Sequence, residues 1–411
     1  MEKPVARTTD MTSYNDDRLI EIFGDAATTV RVSRGRRVGF GRDAYSEMLS
    51  RQAGERREYR YAPGDMATVV EYVNAHGGGA MPIATEEVKR FPLLEAGPND
   101  LAGALDLPEF VSKPALTASD RPSVGLLAVR KGRVVFRGNH YAILRHGKLT
   151  DPRSLFIPTY REVEKTEFVR FRRCLFAGTL RSSDNISHFT FDTLPRIQLA
   201  LRKFKFDAVV LSPPFANRGY QQFLIDLLGI PVVTLPPGGG VAANQLCFFD
   251  NVGLALSHPA NYCHSSMLDA IAIEPLTPPV ADKVYISRLD APDRRPMVNE
   301  RKLADILEKR GFKIVLPTDH HPREQIGWFQ NADVIVGPHG AGLTGVFAAR
   351  PGAIFVELFS PKATAAYASV AAARGLDYRY VAGTAVPGRP YAFEIDIDAV
   401  LAALPPETSA L

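Results

Sequence analysis

The sequence predicts an α/β protein in which two Rossmann-like domains follow one another behind an N-terminal α+β accessory region. Three observations carry that expectation. Strand-like and helix-like segments alternate twice, from residue 168 and again from residue 283. A proline-rich stretch, IEPLTPPVAD at 273–282, separates the two sets. A chain of 411 residues with 45% hydrophobic content exceeds one ordinary core. The expected divisions are a partly ordered arginine-rich lead-in at 1–60, the accessory region with hairpins at 61–165, and Rossmann-like domains at 166–275 and 276–411.

In the accessory region, VGLLAVRKGRVVFRG and YAILRHGKL read as short strands joined by Lys-Gly and His-Gly turns, beside a helix-like MATVVEYVNAHGGG. The first alternating set runs RCLFAGTL (strand), HFTFDTLPRIQLALRKF (helix), DAVVLS (strand), YQQFLIDLLG (helix) and PVVTLP (strand). The second runs KVYISR, the helix NERKLADILEKRG, FKIVLP, the helix PREQIGWFQNA, DVIVG, a helix after HGAGLT, and AIFVELF. Such spacing indicates βαβ units and parallel sheets, and in open parallel sheets ligands collect beyond the carboxyl ends of the strands. Two such domains facing a cleft would bind between them.

Composition excludes several classes. Charged residues make up 23% and no run of about 18 apolar residues occurs, which argues against a disordered chain and against a membrane-spanning helix. The N-terminus has no apolar segment of the signal-peptide kind and carries acids, so a cytoplasmic location is expected. Cys174, Cys247 and Cys263 are far apart and odd in number, which suggests buried thiols and neither disulfides nor zinc. A net charge of +4 does not imply nucleic acid. Nine arginines against four acids between Arg31 and Arg60 suit either a solvated face or peripheral contact with an anionic inner-membrane surface.

Two stretches of the second alternating set look chemical. In VIVGPHGAGLTGVF the strand ends at Gly337, and Gly340 and Gly342 occupy the turn before a helix start near Leu343, so backbone N–H groups and the positive helix end can receive an anion. A Walker-type loop would need a lysine where Leu343 stands, so nucleoside triphosphate hydrolysis is disfavoured. In VYISRLDAPDRRPMVNE, Ser287 and Arg288 end a strand, Arg294 and Arg295 follow in a loop, and Asn299 caps the next helix, with Leu303, Ile306 and Leu307 on one face and Gly311 as terminator. Arginines there can grip a pyrophosphate in bidentate fashion and stabilise a departing diphosphate. Glu357, an acid emerging from an apolar strand, suits sugar hydroxyls, a ribose diol, or burial against an arginine.

In DNISHFTFDTLPRI, helical spacing puts Asn185, His188, Asp192 and Arg196 on one stripe, and Ile186, Leu194, Ile197 and Leu201 opposite. His188 and Asp192 lie four apart, so the carboxylate can orient the imidazole or either can act as general base. An exposed helix surface with a salt bridge fits the same spacing, and Pro195 is expected to interrupt the helix. Asp396-Ile397-Asp398 has the look of an Asp-x-Asp metal motif, but its setting reads as a short strand followed by an Asp398-capped helix, so no metal is expected.

Taken together and in this order, NISHFTFDTLPRI, KVYISRLDAPDRRPMVNE, EQIGWFQNADVIVGPHGAGLTGVF and PGAIFVELF resemble the bacterial branch of glycosyltransferase family 61, the capsular polysaccharide biosynthesis type, across roughly residues 168–361. The resemblance implies a GT-B architecture, an inverting and metal-independent mechanism, and a nucleotide-sugar donor. It implies a hexosyl- or pentosyltransferase acting on a glycan or lipid-linked glycan, without a cofactor, in capsular, exopolysaccharide or lipopolysaccharide biosynthesis. It places His188 and Asp192 in a His-x-x-x-Asp element, Arg288 and Arg295 in a basic stretch, and His339, Gly340, Ala341, Gly342, Leu343 and Thr344 in a glycine-rich turn; Asn185, Arg196 and Asn299, from the polar stripe and the helix start, are expected beside the acceptor or cleft. Gly345 departs from relatives that commonly show asparagine there. The alternative is a non-catalytic nucleotide-sugar or glycan-binding protein of the same fold.

Overall fold

The structure, a computed structural model, describes residues 31–34, 78–84, 89–90, 124–138, 140–145, 148–149, 156–178, 185–212, 219–233, 235, 238–249, 262–263, 271–276, 281–290, 295–361, 366–389 and 391–406. In chain order the strands are β1 (Arg31–Arg34), β2 (Gly78–Ala84), β3 (Lys89–Arg90), β4 (Val124–Arg137), β5 (His140–Arg145), β6 (Lys148–Leu149), β7 (Glu167–Phe176), β8 (Ala208–Val210), β9 (Gly239–Phe249), β10 (Tyr262–Cys263), β11 (Lys283–Ile286), β12 (Lys313–Val315), β13 (Val334–Pro338), β14 (Ile354–Phe359), β15 (Asp377–Ala382), β16 (Thr384–Ala385) and β17 (Phe393–Glu394). The α-helices are α1 (Tyr160–Lys165), α2 (Ile186–His188), α3 (Leu194–Lys203), α4 (Gly219–Leu227), α5 (Glu300–Lys309), α6 (Pro322–Asn331), α7 (Ala366–Arg374) and α8 (Ile397–Ala402). No helix among the described residues is long and apolar enough to cross a membrane. Apart from β1, the Arg31 to Arg60 cluster lies outside the described residues, as do Arg294 and most of the expected helix at 66–79, whose last two residues, Gly78 and Gly79, are strand.

The chain divides into two compact units. The first draws its described residues from Met1–Thr85, Pro122–Phe189 and Thr193–Gly253. It is built on one eight-stranded sheet in the order β1-β7-β9-β4-β5-β6, with β2 also on β4 and β8 on β7. β7 runs parallel to β8 and β9, whereas β9 and β4, β4 and β5, and β1 and β7 pair antiparallel. The sheet is therefore mixed where a parallel one was expected, and the β4–β5 hairpin continues it without a break. The expected strand at PVVTLP is a single bridge, Val209 to Val232, and β9 takes its place in the sheet. Val169, Phe171, Leu246, Phe248, Leu127 and Val129 pack together as the core of this unit. Cys174 and Cys247 are buried, free thiols; burial pushes Cys247 up to about 12. Cys263 lies in β10.

Helix α1 is fastened by a complete capping box: Glu162 N–H donates to Thr159 Oγ1 at 3.2 Å, and Thr159 N–H donates back to Glu162 Oε2 at 2.7 Å. Arg137 adds a bidentate grip, Nε to Oε1 at 2.8 Å and Nη2 to Oε2 at 2.7 Å. Hydrogen bonding from Arg137 first, then from Thr159, holds the Glu162 carboxyl at about 2, below its ordinary 4.5. A depressed acid stabilises the fold above its unfolded value and loses that contribution as pH falls through the folded one. Glu162→Gln is therefore expected to cost about 1 kcal/mol at pH 7, a figure held small by solvent screening. In urea titrations the gap between the two proteins should close between about pH 4.5 and 2. A gap that stays constant over that window would remove the carboxylate from α1's stability.

The second unit draws its described residues from Glu86–Arg121, Thr190–Asp192 and Leu254–Leu411. Its centre is a five-stranded, all-parallel sheet in the order β12-β11-β13-β14-β15. α5 packs through Leu303 and Leu307, both fully buried, with Ile306 partly covered, and ends at Gly311, whose φ of 81° needs glycine. Each of those leucines stabilises the fold by about 1.5–3 kcal/mol. The helix start differs from expectation. The Asn299 side chain does not cap; it exchanges two hydrogen bonds with the Ile395 backbone, at 2.7 and 3.2 Å, and so ties α5 to the segment before α8. The cap of α8 is likewise Asp396 and not Asp398, because the Asp396 side chain accepts from Asp398 N–H and Ala399 N–H, which puts Asp398 inside the first turn.

Candidate functional site

Strand order in the parallel sheet reverses at β11: the chain leaves it outward to β12, then returns on its other side to β13. Such a switch point leaves a crevice at the carboxyl ends of the two central strands, where open α/β sheets bind ligands. Here those ends are Ser287–Arg288 after β11 and His339–Gly340 after β13.

A buried acid sets the first of these. Glu300, 3% exposed in the first turn of α5, accepts from Ser287 Oγ at 2.8 Å, from Arg288 N–H at 2.7 Å and from Tyr285 Oη at 3.3 Å. Burial and the Glu300 charge push the Tyr285 phenol well up, so it stays a donor. Ser287, expected at the donor, is turned inward to Glu300 and anchors the backbone from which Arg288 projects. Arg288 extends over the glycine turn: a Cβ built on Gly340 would fall 1.9 Å from its Nη1. Only glycine at 340 lets the guanidinium lie against the turn's backbone.

The turn is a 3₁₀ helix, Ala341–Ala348, where a plain helix was expected. The N–H groups of Ala341 and Gly342 that open it have no intrahelical acceptor, the feature by which helix starts receive anions. Tyr367 on α7 pins it, donating from Oη to the Gly340 carbonyl at 2.7 Å. Leu343 is fully buried and Thr344 nearly so, with its hydroxyl donating to the Ala341 carbonyl at 2.6 Å, so these two build the turn while Ala341 and Gly342 reach its surface. Gly345 is explained by a neighbour: a Cβ there would lie 2.2 Å from the Phe329 ring of α6. Gly345→Asn is expected to destabilise the fold by about 1–3 kcal/mol through overpacking. Thermal unfolding checks this, and an unchanged midpoint would mean that Phe329 yields freely.

His339 Nδ1 lies 2.5 Å from Glu357 Oε1, and Tyr378 donates to Glu357 Oε2 at 2.9 Å. Glu357 is fully buried, so it acts on the site through His339. Burial, then the Glu357 charge, pushes the Tyr378 phenol well up and keeps it a donor. His339 also stacks on Phe359 and meets Tyr367 edge-on, both at 5.4 Å between ring centres. Arg295 sits in the left-handed region at φ 59°, a strained conformation for a residue other than glycine. Burial, then the nearby Arg288 charge, draws its guanidinium below the ordinary value, while Tyr367 and Glu357 oppose that shift. These two half-buried guanidinium groups repel each other, a repulsion that a bound polyanion would relieve.

Asp192 belongs to a π-helical turn, Phe189–Thr193, between α2 and α3. Pro195 has no N–H to give, and its ring would press on the Phe191 carbonyl four residues back; the chain widens just before it. Leu194 N–H accordingly reaches the Phe189 carbonyl, five residues away. The expected stripe is broken by this turn. Arg196 is 4% exposed, buried as Leu194 and Ile197 are, and Asn185 caps α2, accepting from Ser187 N–H at 2.9 Å and His188 N–H at 3.3 Å. Asp192 and His188 remain partly exposed. Thr190–Asp192 group with the second unit, where Phe191 meets Tyr367 edge-on at 5.8 Å, whereas His188 groups with the first. The structure thus brings Arg288, Arg295, the glycine turn, His339 and Glu357 together in one unit, and Asn299 is bonded elsewhere in it.

Glu300, Tyr367 and Tyr378 escaped sequence reasoning. Only Glu300 carried a signal, an acid in the first turn of a helix directly behind a strand end.

Residues 186–356 match the family model described as Glycosyltransferase 61, a span holding Asp192, Arg288, Arg295 and the whole turn from His339 to Thr344. No curated protein matches the chain. The matched span, residues 186–356, is therefore a glycosyltransferase family 61 domain, and that family indicates a glycosyltransferase.

Proposed function

We propose that the protein is an inverting, metal-independent glycosyltransferase of GT-B plan. It moves a sugar from a nucleotide-sugar to a hydroxyl of a glycan or lipid-linked glycan, in the building of a capsular, exo- or lipopolysaccharide. One observation carries the reading: the Arg288 guanidinium lies against the backbone of Gly340, beside Arg295, at the switch point of the parallel sheet.

In this mechanism the donor's diphosphate oxygens meet Arg288, Arg295 and the opening N–H groups of the turn. Asp192 takes the proton of the acceptor hydroxyl. The oxygen attacks the anomeric carbon from the face opposite the diphosphate, the bond to the diphosphate oxygen breaks, and its electron pair leaves with the diphosphate. One displacement inverts the centre. Two arginines and the dipole of the turn then supply the charge stabilisation that a metal supplies elsewhere. Nucleotide-sugar supply favours the cytoplasmic side of the inner membrane, and the arginines at 31–60 suit peripheral contact there.

The test is incubation of purified protein with a panel of nucleotide-sugars in EDTA, with and without glycan acceptors, followed by measurement of nucleoside diphosphate release. Release that persists in EDTA is expected. Activity lost in EDTA and restored by manganese would refute the metal-free mechanism, and tight binding without release would favour a non-catalytic binding protein.

A further inference from the structure

Past the strand ends, the second unit holds a cavity of about 490 Å³, of a size that takes small organic ligands. Arg295 forms one wall; Ser360, Pro361, Val386, Arg389 and Tyr391 are among the others. Most of that lining, from Ser360 onward, lies beyond the span matched to the family.

The walls are joined. The β16–β17 hairpin carries a loop closed on itself, with Val386 N–H donating to the Ala392 carbonyl at 3.1 Å and Arg389 N–H to the Val386 carbonyl at 3.2 Å. Phe393 in that hairpin donates to the Pro296 carbonyl at 3.0 Å and accepts from Val298 N–H at 2.9 Å. Arg295 and the loop bearing Tyr391 are therefore held in one frame. Tyr391 is 69% exposed and sits at φ 67°, a strained backbone that presents an aromatic ring to solvent at the cavity wall.

We propose that this cavity seats the nucleoside of the donor, with its base stacked on Tyr391 and Arg295 shared between the nucleoside pocket and the diphosphate. The proposal rests on the donor reading above. Three features favour a nucleoside over a sugar. Arg295 lines this cavity and adjoins Arg288 at the diphosphate seat, so the cavity is placed to take the group joined to the diphosphate. Among the described lining residues there is no Asp, Glu, Asn or Gln of the kind that sorts sugar hydroxyls. Proline, alanine and valine side chains beside one tyrosine offer an apolar lining suited to a base.

Calorimetric binding of UDP, GDP, CDP, ADP and inorganic pyrophosphate to the full chain tests this. Wild-type protein should bind one of the nucleotides more tightly than pyrophosphate. Tyr391→Ala should weaken that nucleotide by about 5- to 100-fold, the range for removing a stacking partner, leave pyrophosphate unchanged, and be rescued by Tyr391→Phe. Undiminished nucleotide affinity in Tyr391→Ala, or a defect only in acceptor saturation, would overturn the nucleoside assignment while leaving the diphosphate seat standing. Wild-type protein that binds neither pyrophosphate nor any nucleotide would overturn both.

Discussion

Asp192→Asn is expected to lower transfer from the productive nucleotide-sugar by about 10²- to 10⁴-fold, the range for losing a general base. Asparagine keeps the shape of the side chain and removes its capacity to take a proton. Asp192 is partly exposed on the π-helical turn, so the substitution leaves no new cavity, and the unfolding midpoint should barely move. The neighbouring Phe191 contact with Tyr367 is left intact, which keeps the turn where it is. Donor KM should change little, because a base acts on the acceptor. His188→Ala provides the contrast: if Asp192 is the base, it loses less. Full activity in Asp192→Asn together with loss in His188→Ala would move the role to the histidine.

Arg288→Ala is expected to cost about 10²- to 10³-fold in kcat/KM for the donor, as for removal of one preorganised donor facing developing charge. The guanidinium approaches Gly340 closely enough that even a methyl group there would displace it. Gly340→Ala should therefore reproduce part of the same loss with Arg288 still present. The colliding atom is the far end of a flexible side chain, so the fold should tolerate that change. Arg288→Lys should restore little, because one ammonium cannot reproduce a planar fork. Wild-type kcat/KM in both Arg288→Ala and Gly340→Ala would remove Arg288 from the donor site.

The central strands of the second unit were legible because parallel strands buried on both faces read as short apolar runs, as in VIVGP and IFVELF. Arg288 stood out for the same reason, as a charge where an apolar run stops, and Arg295 as one of an arginine pair in the loop that follows. The partners that hold them did not. Tyr367 and Tyr378 come from elements that only the folded sheet brings alongside His339 and Glu357. The inward turn of Ser287 depends on Glu300, thirteen residues on, meeting it across the start of a helix. β9 was missed because GGVAANQLCFF is short of β-branched residues and follows a glycine- and proline-rich run, so its place rests on its neighbours. The Asn185 to Arg196 stripe followed an α-helical repeat with a break expected at Pro195, whereas the irregularity is the π-helical turn that ends just before that proline.

The most direct measurement is a crystal structure of the protein with the nucleoside diphosphate of its donor. The diphosphate should lie at the carboxyl ends of β11 and β13, within hydrogen-bond reach of Arg288, Arg295 and the backbone of Gly340 to Gly342. A diphosphate bound on the sheet of the first unit, with Arg288 and Arg295 out of its reach, would contradict the donor seat and the mechanism built on it.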